Sequence, residues 1–166
     1  MKKLSFIFSL LLIGFSLFAQ KPDNDRPKLV VGIVVDQMRQ EYLYRFSNKF
    51  SEDGFKRMIN EGFMLKNAHY NYVPTVTGAG HASVYTGTTP ANHGIIGNDW
   101  YDKETKKNVY CAGDDSQSTV GSTAVADGKM SPHRMLTTTI TDELKLSTQK
   151  KAKVIGISIK DRGSIL

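Results

Sequence analysis

Continuous apolar runs alternate along this chain with segments whose apolar residues recur every three or four positions. The run 28–36 is dominated by β-branched residues and ends on Asp36, a pattern typical of a strand buried on both faces of a mostly parallel sheet. Helical spacing follows in 39–46 and 52–60, with Gly62 placed to end the second helix. A strand is predicted over 63–72. This order of elements predicts an α/β fold.

The second half of the chain continues with shorter elements. A helix is predicted from Thr77 to Gly87, where glycine ends it, followed by a long loop over 88–101. Residues 101–111 have a polar tip and predict a hairpin, and 112–133 are rich in Gly, Ser, Asp and Thr, which predicts a surface excursion. A helix over 135–146 and a strand over 153–159 complete the prediction.

The turn before the helix at Thr77 is the strongest candidate for chemistry. Pro74 favours an extended approach, and Thr77 could act as the helix N-cap with its hydroxyl at the positive end of the helix dipole. Gly78 and Gly80 would let a bulky anion come close to the backbone. Thr77 is therefore a candidate nucleophile facing a phosphate or sulfate, and the alternative is a residue that only caps the helix.

Two further polar residues follow predicted strand or loop ends. Asp36 stands at the carboxyl end of a predicted strand, where ligands bind in open α/β sheets, so it is a candidate metal ligand or else a helix N-cap. Asn98 could donate from its amide to a phosphoryl oxygen without adding charge, or it could be a turn residue in Gly97-Asn98.

Lys160 and Arg162 follow the last predicted strand. Alternation along an extended segment would direct both side chains to the same side, at the sheet edge where Asp36 is expected. Their alternative is ordinary surface charge. His81 lies one helical turn after Thr77 and could support it, although a hydrogen-bonded structural histidine is the preferred interpretation, as it is for His93.

The N-terminus has the pattern of a secretory signal. Lys2 and Lys3 precede the apolar run 4–18, and Ala19 ends it. A membrane anchor is the alternative, but a spanning helix needs roughly 20 apolar residues. We expect a signal peptide at 1–19, a linker at 20–27, export to the periplasm or medium, and no membrane attachment after cleavage.

Composition narrows the possible partners. The formal net charge of +6 is scattered, and the basic positions are not interleaved with aromatic residues, so a nucleic-acid surface is not expected. Cys111 is the single cysteine, which excludes an internal disulfide and a cysteine-rich zinc site, and we expect it to be small and buried.

Four segments together resemble the alkaline phosphatase superfamily, and most of all the bacterial exported alkaline phosphatases of the PafA type, which use a threonine nucleophile. The segments are Val-Val-Asp36, Pro74-Thr-Val-Thr77-Gly-Ala-Gly-His81, Asn92-His-Gly-Ile-Ile-Gly-Asn98-Asp-Trp-Tyr101 and Ile159-Lys160-Asp-Arg162.

The resemblance implies a two-zinc phosphomonoesterase acting on small-molecule phosphate monoesters. By this resemblance Asp36 and Thr77 bind one Zn²⁺, and Thr77 forms the covalent phosphoryl-enzyme. Asn98, Lys160 and Arg162 would hold the phosphoryl oxygens. Coordination to zinc would supply the alkoxide that a threonine hydroxyl does not form by itself at neutral pH.

In the family that this sequence resembles, Asp and His ligands from much later in the chain complete the metal sites, whereas the sequence here ends at Leu166. Zinc takes about four ligands. We therefore expect 28–166 to be the truncated N-terminal portion of a three-layer alkaline-phosphatase-like catalytic domain, inactive by itself. Sulfatases fit poorly because Thr77-Gly78-Ala79 lacks their nucleophile motif. Nucleotide pyrophosphatases and phosphodiesterases are the main alternative, and a non-catalytic exported binding protein is another.

The signal pattern makes a testable prediction. Cleavage after Ala19 leaves Gln20 as the first residue of the exported protein, because the small residue follows the apolar run at the position that signal peptidase recognises. Mass spectrometry of the secreted product measures this. An intact Met1 on a protein retained in the cytoplasm would contradict it.

Overall fold

The computed structural model describes residues 27–123 and 126–166. The predicted signal peptide lies outside the described residues, as does the predicted linker except for Pro27. The chain divides into two units after Met38, and the described residues of the first unit are 27–38. Within the described part, no helix has both the length and the apolar character needed to cross a membrane.

The described residues 27–38 of the first unit form no regular strand. The apolar residues of the predicted strand are exposed, Val30 by 72% and Ile33 by 74%, and Met38 N–H donates to Val35 C=O at 3.3 Å across the turn at Asp36. The prediction of a strand buried on both faces is therefore wrong for these residues. β-Branched residues favour a pleated surface, but a strand forms only where neighbouring strands accept and donate its backbone hydrogen bonds.

The regular elements described in the second unit are mainly short helices. In chain order the elements are α1 (Glu41–Arg45), a 3₁₀ turn (Ser47–Lys49), α2 (Phe55–Glu61), α3 (Thr77–Thr86), α4 (Pro90–His93), β1 (Asp99–Asp102), β2 (Lys107–Tyr110), α5 (Ile140–Ser147) and α6 (Arg162–Ile165). The helices predicted over 39–46 and 52–60 correspond to α1 and α2, and Gly62 is the C-cap of α2 as predicted.

α3 is the central helix, and its limits follow from its sequence. Val76 is extended and occupies the N-cap position, so Thr77 is the first helical residue and the prediction that Thr77 is the N-cap is wrong. Gly87 ends the helix with a φ of 68°, in the left-handed region that glycine enters without steric cost. The peptide bond Val73-Pro74 before the helix is cis.

The predicted hairpin is confirmed. β1 and β2 pair antiparallel, with Asp99 opposite Tyr110 and Asp102 opposite Lys107. At the tip, Asp102 accepts hydrogen bonds from Glu104 N–H and from the Thr105 hydroxyl. These bonds hold the pKa of Asp102 below its ordinary value.

The region 112–133 is a surface excursion, as predicted, and its two ends are held together. Gly113 and Met130 form an isolated antiparallel bridge, and Ser131 N–H donates to Ala112 C=O at 2.8 Å. Asp114 accepts from the backbone and hydroxyl of Ser116, which closes a turn and holds the Asp114 pKa well below its ordinary range.

The last predicted helix and strand differ from the structure. α5 begins at Ile140, five residues later than predicted, because Thr139 and Asp142 form a reciprocal capping box. Residues 153–159 form no strand, and neither do 63–72. Ile157 is 90% exposed, so these apolar segments lack the sheet neighbours that the prediction assumed.

A small core lies where α3, the hairpin and α6 meet. Its buried residues are Ala82, Ile95, Cys111, Ala112 and Leu166, and Trp100, Tyr110, Met130, Met135 and Ile165 pack against them. The small residues on this face of α3 allow close approach of the hairpin. The core therefore fixes the N-terminus of α3 against the start of β1 and the end of β2.

Candidate active site

The N-terminus of α3 is joined directly to the loop that carries Asn98. The backbone N–H of Gly78 donates to Asn98 Oδ1 at 2.8 Å. Because a backbone N–H can only donate, this bond fixes the amide orientation and places the Asn98 donors on Nδ2. The structure thus brings two predicted site residues, Thr77 and Asn98, to the same helix end, and Asn98 is more than a turn residue.

The missing side chain of Gly78 serves packing. A Cβ atom there would lie 3.0 Å from Gly97 O, 3.1 Å from Cys111 Sγ and 3.3 Å from Asn98 Oδ1. The expectation that this glycine leaves room for an anion is therefore wrong, because protein atoms occupy that side. Among the described residues outside the α3 backbone, a Cβ on Gly80 would come within 4 Å of the Tyr70 hydroxyl alone, at 3.9 Å.

Cys111 is fully buried beside the contact between Gly78 and Asn98, as the sequence predicted. Its N–H donates to Asn98 C=O at 2.8 Å, which extends the β1–β2 pairing by one residue. Burial raises the pKa of the Cys111 thiol to about 11. The thiol therefore stays protonated at neutral pH and acts as a small apolar group.

Arg162 and Lys160 do not lie at the end of a strand. Lys160 is exposed in a bend, and Arg162 is the first residue of α6. The expectation that strand alternation directs both side chains to one side is therefore wrong. Arg162 Nη1 instead donates to the Tyr110 hydroxyl at 2.7 Å, at the end of β2.

Asp36 belongs to the first unit, in the turn over 36–37. Thr77, Asn98, Lys160 and Arg162 belong to the second unit. Among residues 27–123 and 126–166, no group of three or more His, Cys, Asp or Glu side chains is placed to hold a metal ion.

His93 is a structural histidine, as predicted. It is fully buried, with Nε2 lying 2.9 Å from Ser83 Oγ and Nδ1 accepting from Ile95 N–H at 3.1 Å. These contacts place its proton on Nε2, and burial lowers its pKa. Ser83 Oγ also lies 2.7 Å from the Tyr72 hydroxyl. This network joins α3 to α4 and was not predicted.

His81 is also buried, one turn after Thr77. Its Nδ1 has no hydrogen-bond partner within the described part of the chain. The preferred interpretation of a hydrogen-bonded structural histidine is therefore wrong for this atom.

Sequence reasoning also missed the partners of Arg162. The Tyr110 hydroxyl accepts from Arg162 and donates to Asp161 Oδ1 at 2.7 Å, contacts that span 52 and 51 positions of the chain. A tyrosine at the end of a short strand carries no local signal of such a role. Only the packing of α6 on the hairpin reveals it.

A helix N-terminus that carries a threonine beside an asparagine amide is suited by its chemistry to a phosphoryl group. The family model for type I phosphodiesterases and nucleotide pyrophosphatases matches residues 30–156, and the chain belongs to this family, within the alkaline phosphatase superfamily.

The names of individual relatives are more specific than the family description. The chain is 53% identical over 161 residues to alkaline phosphatase PafA of Elizabethkingia meningoseptica, a match that covers 96% of this chain and 30% of that protein. It is 55% identical over 141 residues to alkaline phosphatase PhoV of Synechococcus elongatus, covering 85% of this chain and 26% of that protein. The chain thus spans less than a third of the length of these curated relatives, which are hydrolases by name.

A crystal structure of a PafA variant is also similar, with a TM-score of 0.82 and 54% identity over 84% of this chain and 27% of that chain. In that variant a threonine is replaced by serine, and an asparagine, a lysine and an arginine are replaced by alanine. This similarity confirms the predicted α/β, alkaline-phosphatase-like fold class and the predicted resemblance.

The packing of Gly78 makes a testable prediction. Gly78→Ala and Gly80→Ala each replace a glycine inside α3, which by itself favours the helix by about 1 kcal/mol. Only the first introduces a methyl group against Gly97, Asn98 and Cys111, an overpacking that typically costs about 1–3 kcal/mol. Urea unfolding should therefore show Gly78→Ala to be less stable than Gly80→Ala by about that amount. Equal stability of the two variants would contradict the close contact.

Proposed function

We propose that the full-length protein carrying this chain hydrolyses phosphate monoesters with the help of zinc, through a covalent phosphothreonine at Thr77. The observation that carries this proposal is the contact at the start of α3. Thr77 is the first residue of the helix, and the next N–H binds the side chain of Asn98. The residue proposed as nucleophile and the residue proposed to donate to phosphoryl oxygens therefore lie at one helix end.

The substituted positions of the PafA variant support the choice of residues. Its threonine, asparagine, lysine and arginine follow one another at intervals of 21, 62 and 2 residues. Thr77, Asn98, Lys160 and Arg162 have the same residue types at the same intervals. This agreement supports assigning the four residues to a single site.

The proposed reaction has two steps. Thr77 Oγ1 attacks phosphorus, the bond from phosphorus to the ester oxygen breaks, and the alcohol leaves with a proton. Water then attacks the phosphothreonine, which releases inorganic phosphate and restores the hydroxyl. Asn98 would donate from Nδ2 to one phosphoryl oxygen, and the cations of Lys160 and Arg162 would neutralise charge on the others.

We propose zinc as the cofactor of the complete protein. Thr77 and Asp36 offer oxygen ligands, whereas a zinc site takes about four ligands and the described residues hold no larger ligand group. By the chemistry of their oxygen atoms, Asp36 and Thr77 would supply two of these ligands in the complete protein. Bound zinc would lower the pKa of the Thr77 hydroxyl and polarise the phosphoryl group.

The 166-residue chain by itself should not turn over phosphate esters, because its described residues hold no group of three or more metal ligands and the apolar segments predicted as strands are exposed. We propose further that the protein is exported, on the pattern of its first 19 residues, and that its partners are small-molecule phosphate monoesters.

Thr77→Ala in the full-length protein should remove nearly all turnover, because it deletes the nucleophile. Thr77→Ser is the matched control, since it keeps a hydroxyl and should retain measurable activity. The measurement is kcat/KM on a phosphate monoester, with zinc content and thermal unfolding as checks on the fold. If Thr77→Ala kept more than about a tenth of the activity, a loss under about 1.4 kcal/mol, Thr77 would not be the nucleophile.

Phosphodiester hydrolysis is the second candidate, and the family description favours it. A monoester dianion presents three non-bridging oxygens, whereas a diester presents two and carries one charge fewer. Two cations within three residues, at Lys160 and Arg162, favour the dianion.

We therefore expect the full-length protein to prefer monoesters over diesters. Lys160→Ala combined with Arg162→Ala should lower kcat/KM for a monoester far more than for a diester, because the diester lacks the additional charged oxygen. The ratio of the two activities measures this directly. Equal losses on both substrates, or a preference of the unsubstituted protein for diesters, would favour the phosphodiesterase function.

A further inference from the structure

The guanidinium of Arg162 is held in place from one side. Its Nη1 donates to the Tyr110 hydroxyl at 2.7 Å, and its Cζ atom lies 5.7 Å from the centre of the Tyr110 ring. The Nε–H is buried and has no hydrogen-bond partner within the described residues. The contact with Tyr110 therefore engages one end of the guanidinium and leaves a buried donor for another acceptor.

Tyr110 is itself oriented by the residue before Arg162. Its hydroxyl donates to Asp161 Oδ1 at 2.7 Å, and the same carboxylate oxygen accepts from the backbone N–H of Arg162 at 2.7 Å. Because the hydroxyl proton is directed to Asp161, a lone pair of the hydroxyl oxygen faces Arg162. Burial, followed by the hydrogen bond to Asp161, raises the pKa of Tyr110 to about 12, so the hydroxyl keeps its proton.

Tyr110 is also linked to the nucleophile end of the site. Tyr110 pairs with Asp99 at the end of the hairpin, and the next residue, Cys111, donates its N–H to Asn98 C=O at 2.8 Å. Cys111 packs against Gly78, which follows Thr77. One short stretch of backbone, 110–111, therefore supports both the asparagine and the arginine.

We propose that Tyr110 is a positioning residue, whose hydroxyl holds the Arg162 guanidinium at the angle needed to bind a phosphoryl group. This inference rests on the proposed role of Arg162. Without the hydroxyl, the guanidinium would keep the aromatic face but lose the bond that fixes its rotation. An arginine binds two oxygens well only when its planar fork is correctly oriented, so looser orientation weakens binding of the phosphoryl group.

The test is Tyr110→Phe in the full-length protein, because phenylalanine keeps the ring and removes only the hydroxyl. We expect kcat/KM for a phosphate monoester to fall about tenfold, and the inhibition constant of inorganic phosphate to rise by a similar factor. In a protein that already carries Arg162→Ala, Tyr110→Phe should have almost no further effect. This non-additivity distinguishes action through Arg162 from an independent structural role.

Tyr44→Phe is the matched control, since it removes a hydroxyl from an exposed tyrosine on α1 and should leave both measurements unchanged. Full activity of Tyr110→Phe would overturn the inference, and so would losses that add to those of Arg162→Ala. If Arg162→Ala itself left monoester hydrolysis unchanged, the proposed role of Arg162 would fail and this inference with it. If Arg162→Ala lowered kcat/KM for the monoester and Tyr110→Phe lowered it further by an independent factor, this inference alone would be overturned.

Discussion

The contact between the start of α3 and the hairpin is the constraint on which the described site depends. Gly78 donates its N–H to the Asn98 side chain. Gly78 also packs so closely against Cys111 that a Cβ atom at position 78 would crowd the Cys111 sulfur. A helix N-terminus ordinarily leaves several N–H groups without partners. Here a side-chain amide satisfies one of them, and the same bond orients that amide. Because Gly78 has no side chain, the loop that carries Asn98 can lie against the start of α3, next to Thr77.

The hairpin provides the common support for the rest of the site. Its first strand follows Asn98, and its second strand ends at Tyr110, which holds Arg162 through its hydroxyl. Small buried residues of α3 and the hairpin form the core beneath this arrangement. Thr77 on a packed helix and Asn98 beside paired backbone are therefore limited in their motion more than a free loop would be.

The apolar surface of the chain is consistent with its relation to longer proteins. The chain spans less than a third of the curated relatives, and residues such as Ile157 and Ile159 are almost fully exposed. Such segments are stable as strands only when neighbouring strands complete their hydrogen bonds and a layer of helices covers them. The PafA structure that resembles 84% of this chain is likewise a longer protein, of which the match covers 27%.

The sequence by itself determined several of the local elements and the family. Gly87 had to end α3 because its left-handed backbone suits glycine, the polar tip formed the hairpin, and the motifs around Thr77, Asn98 and Arg162 identified the superfamily. Tertiary structure alone decided that Asn98 accepts from Gly78 and that Tyr110 holds Arg162, because contacts 20 and 52 positions apart leave no local pattern. It also decided that 28–36, 63–72 and 153–159 remain without strand structure here. Periodicity reports which residues could be buried in a sheet, whereas a strand also requires hydrogen-bonding neighbours that lie elsewhere in space.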